Sequence, residues 1–315
     1  MKRLSIALVL LLTALLAAAP ALADGRKIAF IRWSGHSTQI WTAGEDGKNA
    51  AKLISGFDPE ISPDGTRVAY TYSDKSGGRF IAVCDIKTRK TTVLRSIPGS
   101  NSYGPRWSPD GKKLLFNHFQ NNSDWTVGTW NIAAKKYKIF RLPKDAKSGV
   151  YSPFWSHDGS QIFANDFSHI VTFDAASGKS VAVMSIIDIV DRASILMSSA
   201  AQFACSPDGK SWLIREENGN ESCALCSAFD GPGLKGTMFL FDVNEKKKTT
   251  RVSPKEYCVA SAVWRGGDIF FTGHRESEKP KKGGSPDGIY RLSPDTGKVT
   301  LLLMDGSQIS VSSPN

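Results

Sequence analysis

The chain has 315 residues, with 40 Lys and Arg against 30 Asp and Glu and a formal net charge of +10 at pH 7. That length is ample for one large core. The basic residues are scattered through short turns and form no aromatic-plus-basic motif, which argues against a nucleic-acid partner and for solubility with a weak attraction to acidic surfaces.

The first residues set the compartment. Lys2 and Arg3 precede an apolar run over 4–18, and Ala21-Leu22-Ala23 supplies a small-x-small cleavage site. Together they predict a cleaved secretory signal peptide over 1–23, a single domain over 24–315, and a periplasmic location with secretion as the other exported outcome. No other segment approaches the roughly 20 apolar residues of a spanning helix, so no membrane span is expected. In that oxidising compartment five cysteines, an odd number, form at most two disulfides and leave one thiol free.

From residue 62 onward the chain repeats itself. Ser62-Pro63-Asp64-Gly65, Ser108-Pro109-Asp110-Gly111, Ser156-His157-Asp158-Gly159 and Ser206-Pro207-Asp208-Gly209 recur at intervals of 46, 48 and 50 residues. Each copy lies between two strand-like runs, as Tyr103 to Trp107 and Leu114-Leu115-Phe116 show. The tetrapeptide is a hairpin device: Pro presets φ, Asp bonds back to the turn backbone, and Gly takes a conformation other residues resist. Two further strand-like runs follow each copy, so each repeat reads as a four-stranded propeller blade.

A degenerate fifth copy occupies Trp264-Arg265-Gly266-Gly267-Asp268. The N-terminal unit has only three strands, and the run 308–312 supplies the missing one. The expected fold is therefore all-β, a six-bladed β-propeller of four-stranded antiparallel blades in which the C-terminal strand completes the first blade and closes the ring. Six blades of about 48 residues consume roughly 290 residues and leave no room for an appended catalytic domain. No Gly-x-Ser-x-Gly elbow or phosphate-binding loop occurs.

The run Trp107-Ser108-Pro109-Asp110-Gly111-Lys112-Lys113-Leu114-Leu115-Phe116 resembles the repeat of the TolB β-propeller family. The resemblance implies a non-catalytic, periplasmic protein-binding or scaffolding module whose partner is another envelope protein or peptide. The family's namesake has an α/β domain before its propeller. Here the propeller is expected directly after the signal peptide, so neither a specific partner nor a binding residue carries over. Related propellers also occur in oligopeptidases and polysaccharide lyases.

Loop lengths separate the two faces of the ring. The Ser-Pro-Asp-Gly turns and short polar hairpins fall on one face. The long insertions 117–124, 185–200, 216–236 and 273–288 fall on the other, which is the expected binding face. Its candidate residues are His36, His118, His274, Arg215 and Arg275, which would also serve a lyase or hydrolase acting on an acidic polysaccharide. The run 186–197 suits a short helix packed on the blades.

Cys223-x-x-Cys226 lies in the longest insertion, and Cys258 falls on the same face. Three readings exist: a disulfide staple, a redox dithiol, or a thiolate and imidazole metal site. A second paired metal motif is absent, so a staple is expected, with Cys258 as the preferred partner because it closes the longer loop. No metal and no cofactor are expected. Cys84 and Cys205 are expected to be buried and inert, and the protein to be a monomer.

Overall fold

The structure, a computed structural model, describes residues 25–35, 37–119, 124–142, 149–189, 195–199, 201–223, 233–245, 249–278 and 287–313. The predicted signal peptide over 1–23, His36 and Cys226 lie outside the described residues. No helix among the described residues is long and apolar enough to cross a membrane.

Six antiparallel sheets follow one another around a ring. The first blade joins Ser307–Val311 to Lys27–Ser34, Ser37–Gly44 and Ala51–Ser55. The next two contain Phe57–Ile61, Arg67–Ser73, Arg79–Asp85 and Thr91–Val93, then Ser102–Trp107, Lys113–Phe119, Trp125–Asn131 and Lys136–Ile139. The fourth contains Tyr151–Trp155, Gln161–Asn165, His169–Asp174 and Ser180–Ser185. The fifth is built on Gln202–Cys205, Ser211–Cys223, Gly233–Asp242 and Thr249–Arg251, and the sixth on Tyr257–Arg265, Asp268–Arg275, Gly288–Ser293 and Lys298–Met304.

The C-terminal strand closes the ring as the repeat count requires. Ile28 pairs with Val311 and Ala29 with Ser310, and the N–H groups of Lys27 and Ser312 are taken up by Ser312 Oγ and Lys27 O at 2.9 Å each.

The core is a set of seams rather than one central mass. Each of six apolar clusters lies between two neighbouring blades. Central strands are covered on both sides, which is why they read as unbroken apolar runs. In Lys113–Phe119, Leu114 and Phe116 enter the seam with the second blade while Leu115 enters the seam with the fourth. Outer strands such as Lys136–Ile139 are exposed and polar, which protects their open edge.

The Ser-x-Asp-Gly turns share one geometry. Ser108 Oγ donates to Asp110 at 2.6 Å and accepts the Lys113 N–H at 2.8 Å, and Gly111 takes a left-handed φ of 68°. The tryptophans before the turns bind the preceding blade: Trp107 Nε1 donates to Glu60 O at 2.9 Å, and Trp155 Nε1 to Arg106 O at 3.2 Å. Cys205 replaces this tryptophan in the fifth blade, and its thiol donates to Trp155 O at 3.2 Å.

Two expectations need correction. The run 186–197 is not a helix of that length. A single 3-10 turn, Ile186–Asp188, buries Ile186 and Ile189 on the blades, and Ile195–Leu196 then pairs with Glu217 and Asn218 as a fifth strand of the fifth blade. The insertion 216–236 is not all loop either. Ser211–Cys223 and Gly233–Asp242 continue their pairing as far as Cys223 and Gly233, with a register shift between Asn218 and Ser222.

Candidate functional site

The innermost strands line the central channel, and their channel-side N–H groups lack a strand partner. Side chains from neighbouring blades supply one. Asp58 N–H donates to Gln308 Oε1 at 2.9 Å, Gly104 N–H to Thr71 Oγ1 at 3.0 Å, Ser152 N–H to Asn117 Oδ1 at 3.2 Å, Ala262 N–H to Gln202 Oε1 at 3.0 Å and Ile309 N–H to Ser261 Oγ at 3.2 Å. Asp58, Gly104, Ser152 and Gln308 all occupy left-handed backbone, with φ of 48°, 64°, 52° and 51°. Register shifts mark the same places in the ladders. These repeated bulges turn the entry of the inner strand toward the channel.

The result is a polar cavity of about 360 Å³ on the face of the long insertions, lined by Asp58, Arg79, Tyr103, Asn117, Ser152 and Gln202 among others. Arg106 lines both this cavity and a second of about 360 Å³ on the Ser-Pro-Asp-Gly side. Between them Glu60 is buried, held by Arg106 at 2.9 Å and Arg265 at 3.5 Å. A buried carboxylate needs such compensation.

An aromatic ridge runs from the first of these cavities. Tyr103 meets Trp125 edge-on at 5.2 Å, Trp125 meets Phe119 at 5.1 Å and Tyr151 at 6.2 Å, and Tyr151 stacks on Phe167 at 4.9 Å. The Arg79 guanidinium lies 4.2 Å over Tyr103 and is fixed by a 2.7 Å bond to Asn101. All five rings are half-buried. Phe167 holds a φ of 70°, a conformation a bulky side chain seldom adopts and one that clusters at functional sites.

The sequence-predicted residues do not form one group. His118, in the third blade, is buried and bonded through Nδ1 to Ser102 Oγ at 3.0 Å, and burial lowers its pKa. Across the ring, Arg215 donates to Val259 O at 3.0 Å, and the exposed Arg275 donates to Tyr257 Oη at 2.7 Å. His274, adjacent to Arg275 in its strand, is buried, with Nδ1 2.8 Å from Asp287 and Nε2 3.3 Å from Cys223 Sγ. Cys223 and Cys258 form a disulfide, the preferred pairing, with Cα atoms 6.6 Å apart. Cys84 is buried. Cys205 is half-buried, with burial pushing its thiol up to about 12.

The family model described as the TolB beta propeller domain matches residues 23–228. The chain belongs to the TolB β-propeller family. It is 40% identical over 80 residues to the Tol-Pal system protein TolB of Nitrosomonas europaea, covering 24% of this chain and 19% of that protein. It is 37% identical over 68 residues to the uncharacterized peptidase YuxL of Bacillus subtilis, covering 20% of this chain and 10% of that protein. The chain thus spans a fifth or less of the length of these curated relatives. The crystal structure of TolB from Acinetobacter baumannii superposes with a TM-score of 0.65 at 16% identity, over 92% of this chain and 67% of that one.

Within this TolB-family propeller the aromatic ridge escaped the sequence reading, which weighed histidines, arginines and cysteines. The signal was present as Tyr103, Phe119, Trp125 and Tyr151 at or next to strand ends, with Phe167 in the connection between Gln161–Asn165 and His169–Asp174. Phe119 and Trp125 face each other within one hairpin, but only the ring brings Trp125 against Tyr151 of the next blade.

Proposed function

We propose that this chain is an exported, non-catalytic binding module of the cell envelope that receives a segment of another envelope protein at the channel mouth. The observation that carries this reading is the ridge of Tyr103, Phe119, Trp125, Tyr151 and Phe167 with Arg79 stacked at its end. Tyr, Trp and Arg are the residues that dominate binding energy at protein interfaces, because they offer large rigid area at small entropic cost. The adjoining cavity adds donors and acceptors that suit an extended backbone. Kinship with TolB supports a periplasmic location after removal of residues 1–23. The polysaccharide-cleaving alternative gains no such support, since His118 and His274 are buried and committed to Ser102 and Asp287 on opposite sides of the ring.

A photo-crosslinking residue at Tyr103 tests the proposal in envelope extracts, with the exposed Tyr137 on an outer strand as the control site. A defined envelope protein crosslinked from position 103, not from 137, and lost in Trp125→Ala supports it. Equal capture from both positions, or capture indifferent to Trp125→Ala, would overturn it, as would turnover of a uronate polymer.

A further inference from the structure

The two sulfurs of the Cys223–Cys258 disulfide and an imidazole meet where the extended hairpin of the fifth blade touches the sixth. The ligand-capable atoms of Cys223, Cys258 and His274 all lie within 4.8 Å of one another, and all three residues are buried. Cys258 and His274 are direct cross-strand partners, and Cys223 arrives from the end of Ser211–Cys223. Asp287 accepts from His274 Nδ1 at 2.8 Å, so the imidazole presents Nε2 toward Cys223 Sγ, 3.3 Å away.

We infer that Cys223, Cys258 and His274 are a redox-gated binding site for a thiophilic d10 cation such as Zn²⁺, closed as a disulfide when oxidised and opened to the cation when reduced. The donor set is two thiolates and one imidazole, with a carboxylate on the far imidazole nitrogen. That outer carboxylate is the usual partner of a metal-binding histidine, fixing its tautomer and raising its basicity. With Zn–S distances near 2.3 Å, two sulfurs on one tetrahedral ion stand about 3.8 Å apart. A Cα separation of 6.6 Å allows that by side-chain rotation, without moving either strand. These three donors supply three of the four ligands that tetrahedral zinc takes.

The chemistry balances with an external dithiol as reductant. The Cys223–Cys258 bond breaks, two thiols form, and the reductant leaves as its own disulfide. The cation then displaces both thiol protons to solvent. In either state the long hairpin of the fifth blade stays tied to the sixth, once by a covalent bond and once by the ion.

The test uses the mature protein reduced anaerobically with a phosphine and titrated with Zn²⁺ against a chromophoric chelator. One Zn²⁺ per reduced chain and none per oxidised chain is expected. Asp287→Asn should weaken binding about 10- to 100-fold, His274→Ala by at least as much, and Cys226→Ser not at all. Co²⁺ on the unmutated reduced protein gives a readout that survives misfolding of a variant, because two thiolates produce sulfur-to-cobalt charge-transfer absorption. A reduced protein that binds no cation, folded or not, overturns the inference. So does binding that persists in Cys258→Ser or disappears in Cys226→Ser.

Discussion

The backbone N–H of Asp58 donates to the side chain of Gln308 across a sequence separation of 250 residues, at 2.9 Å. The second blade is thus held by the last strand of the chain. Two residues on, Ser310 Oγ accepts the Ile61 N–H at 2.8 Å, and Ile309 and Val311 are buried in the seam of the first and sixth blades. Burying each of those side chains contributes about 1.5–3 kcal/mol. With the lost ladder and side-chain bonds, a chain ending at residue 306 should forfeit a large part of a typical stability of about 5–15 kcal/mol. Its thermal transition is expected to fall by more than 10 °C or vanish, by roughly 1 kcal/mol per 2–4 °C for this size class. An unchanged transition would contradict closure through this strand.

Phe167 separates stability from binding. Its left-handed φ of 70° costs about 1–2 kcal/mol for a residue with a Cβ, and its stacking on Tyr151 returns about 0.5–1.5 kcal/mol. Phe167→Gly is therefore expected to leave stability within about 1 kcal/mol of the parent while weakening partner capture at the ridge. Denaturant titration and crosslinking yield measure the two effects independently.

How much of this was readable in the residues follows from the range of the interactions. The Ser-Pro-Asp-Gly turns are local: Ser108, Asp110, Gly111 and Lys113 complete one another within six positions, so spacing alone revealed blades and ring closure. The Cys223–Cys258 bridge was legible because both residues project on one face of consecutive blades. The ridge was not, because Trp125 and Tyr151 meet only across a blade seam. The insertion after Glu216 was misread as loop because its strands lengthen through polar residues, with Glu216 and Asn218 buried between them.

Glu216 should make stability depend on pH. Its carboxyl is buried, Oε2 has no hydrogen-bond partner among the described residues, and burial pushes the pKa up to about 7 against bonds from the Glu217 N–H and Ser198. For an acid whose folded pKa is raised, the unfolded chain ionises first as pH rises. The folded state therefore loses stability between about pH 4.5 and 7 and the loss levels off above that, to about 3 kcal/mol at most. Glu216→Gln is expected to raise stability at pH 8 and change little at pH 4. Equal gains at both values would assign the effect to packing instead.

The turn aspartates act in the opposite sense. Ser156 Oγ, the Ser160 N–H and Ser160 Oγ hold the Asp158 carboxyl down at about 2, and the same kind of bonding lowers Asp208. A lowered carboxyl stabilises the fold fully above its unfolded pKa, near 4, and loses that contribution as pH falls through the folded value. Carboxyl NMR titration should place Asp158 near 2 in the parent and closer to the ordinary value in Ser156→Ala. Acid unfolding of that variant should begin at a higher pH.

The last prediction concerns the cysteines together. The Cys223–Cys258 bond joins residues 35 apart, and restricting an unfolded loop of that length is worth roughly 4 kcal/mol before native-state strain. With a chelator present, reduction should lower stability by up to that amount, and Cys258→Ala in the oxidised protein should reproduce much of the loss. Non-reducing peptide mapping should recover residues 223 and 258 in one linked pair. Cys205 should stay unmodified by iodoacetamide at pH 8 in the folded protein. With its thiol pushed up to about 12, only about one molecule in 10⁴ carries the thiolate that reacts. Its bond to Trp155 O gives the thiol the anchoring role that Trp107 and Trp155 perform in their own blades. Rapid native alkylation at Cys205 would show that this seam opens far more readily than its packing implies, and that the fifth blade is the weak point of the ring.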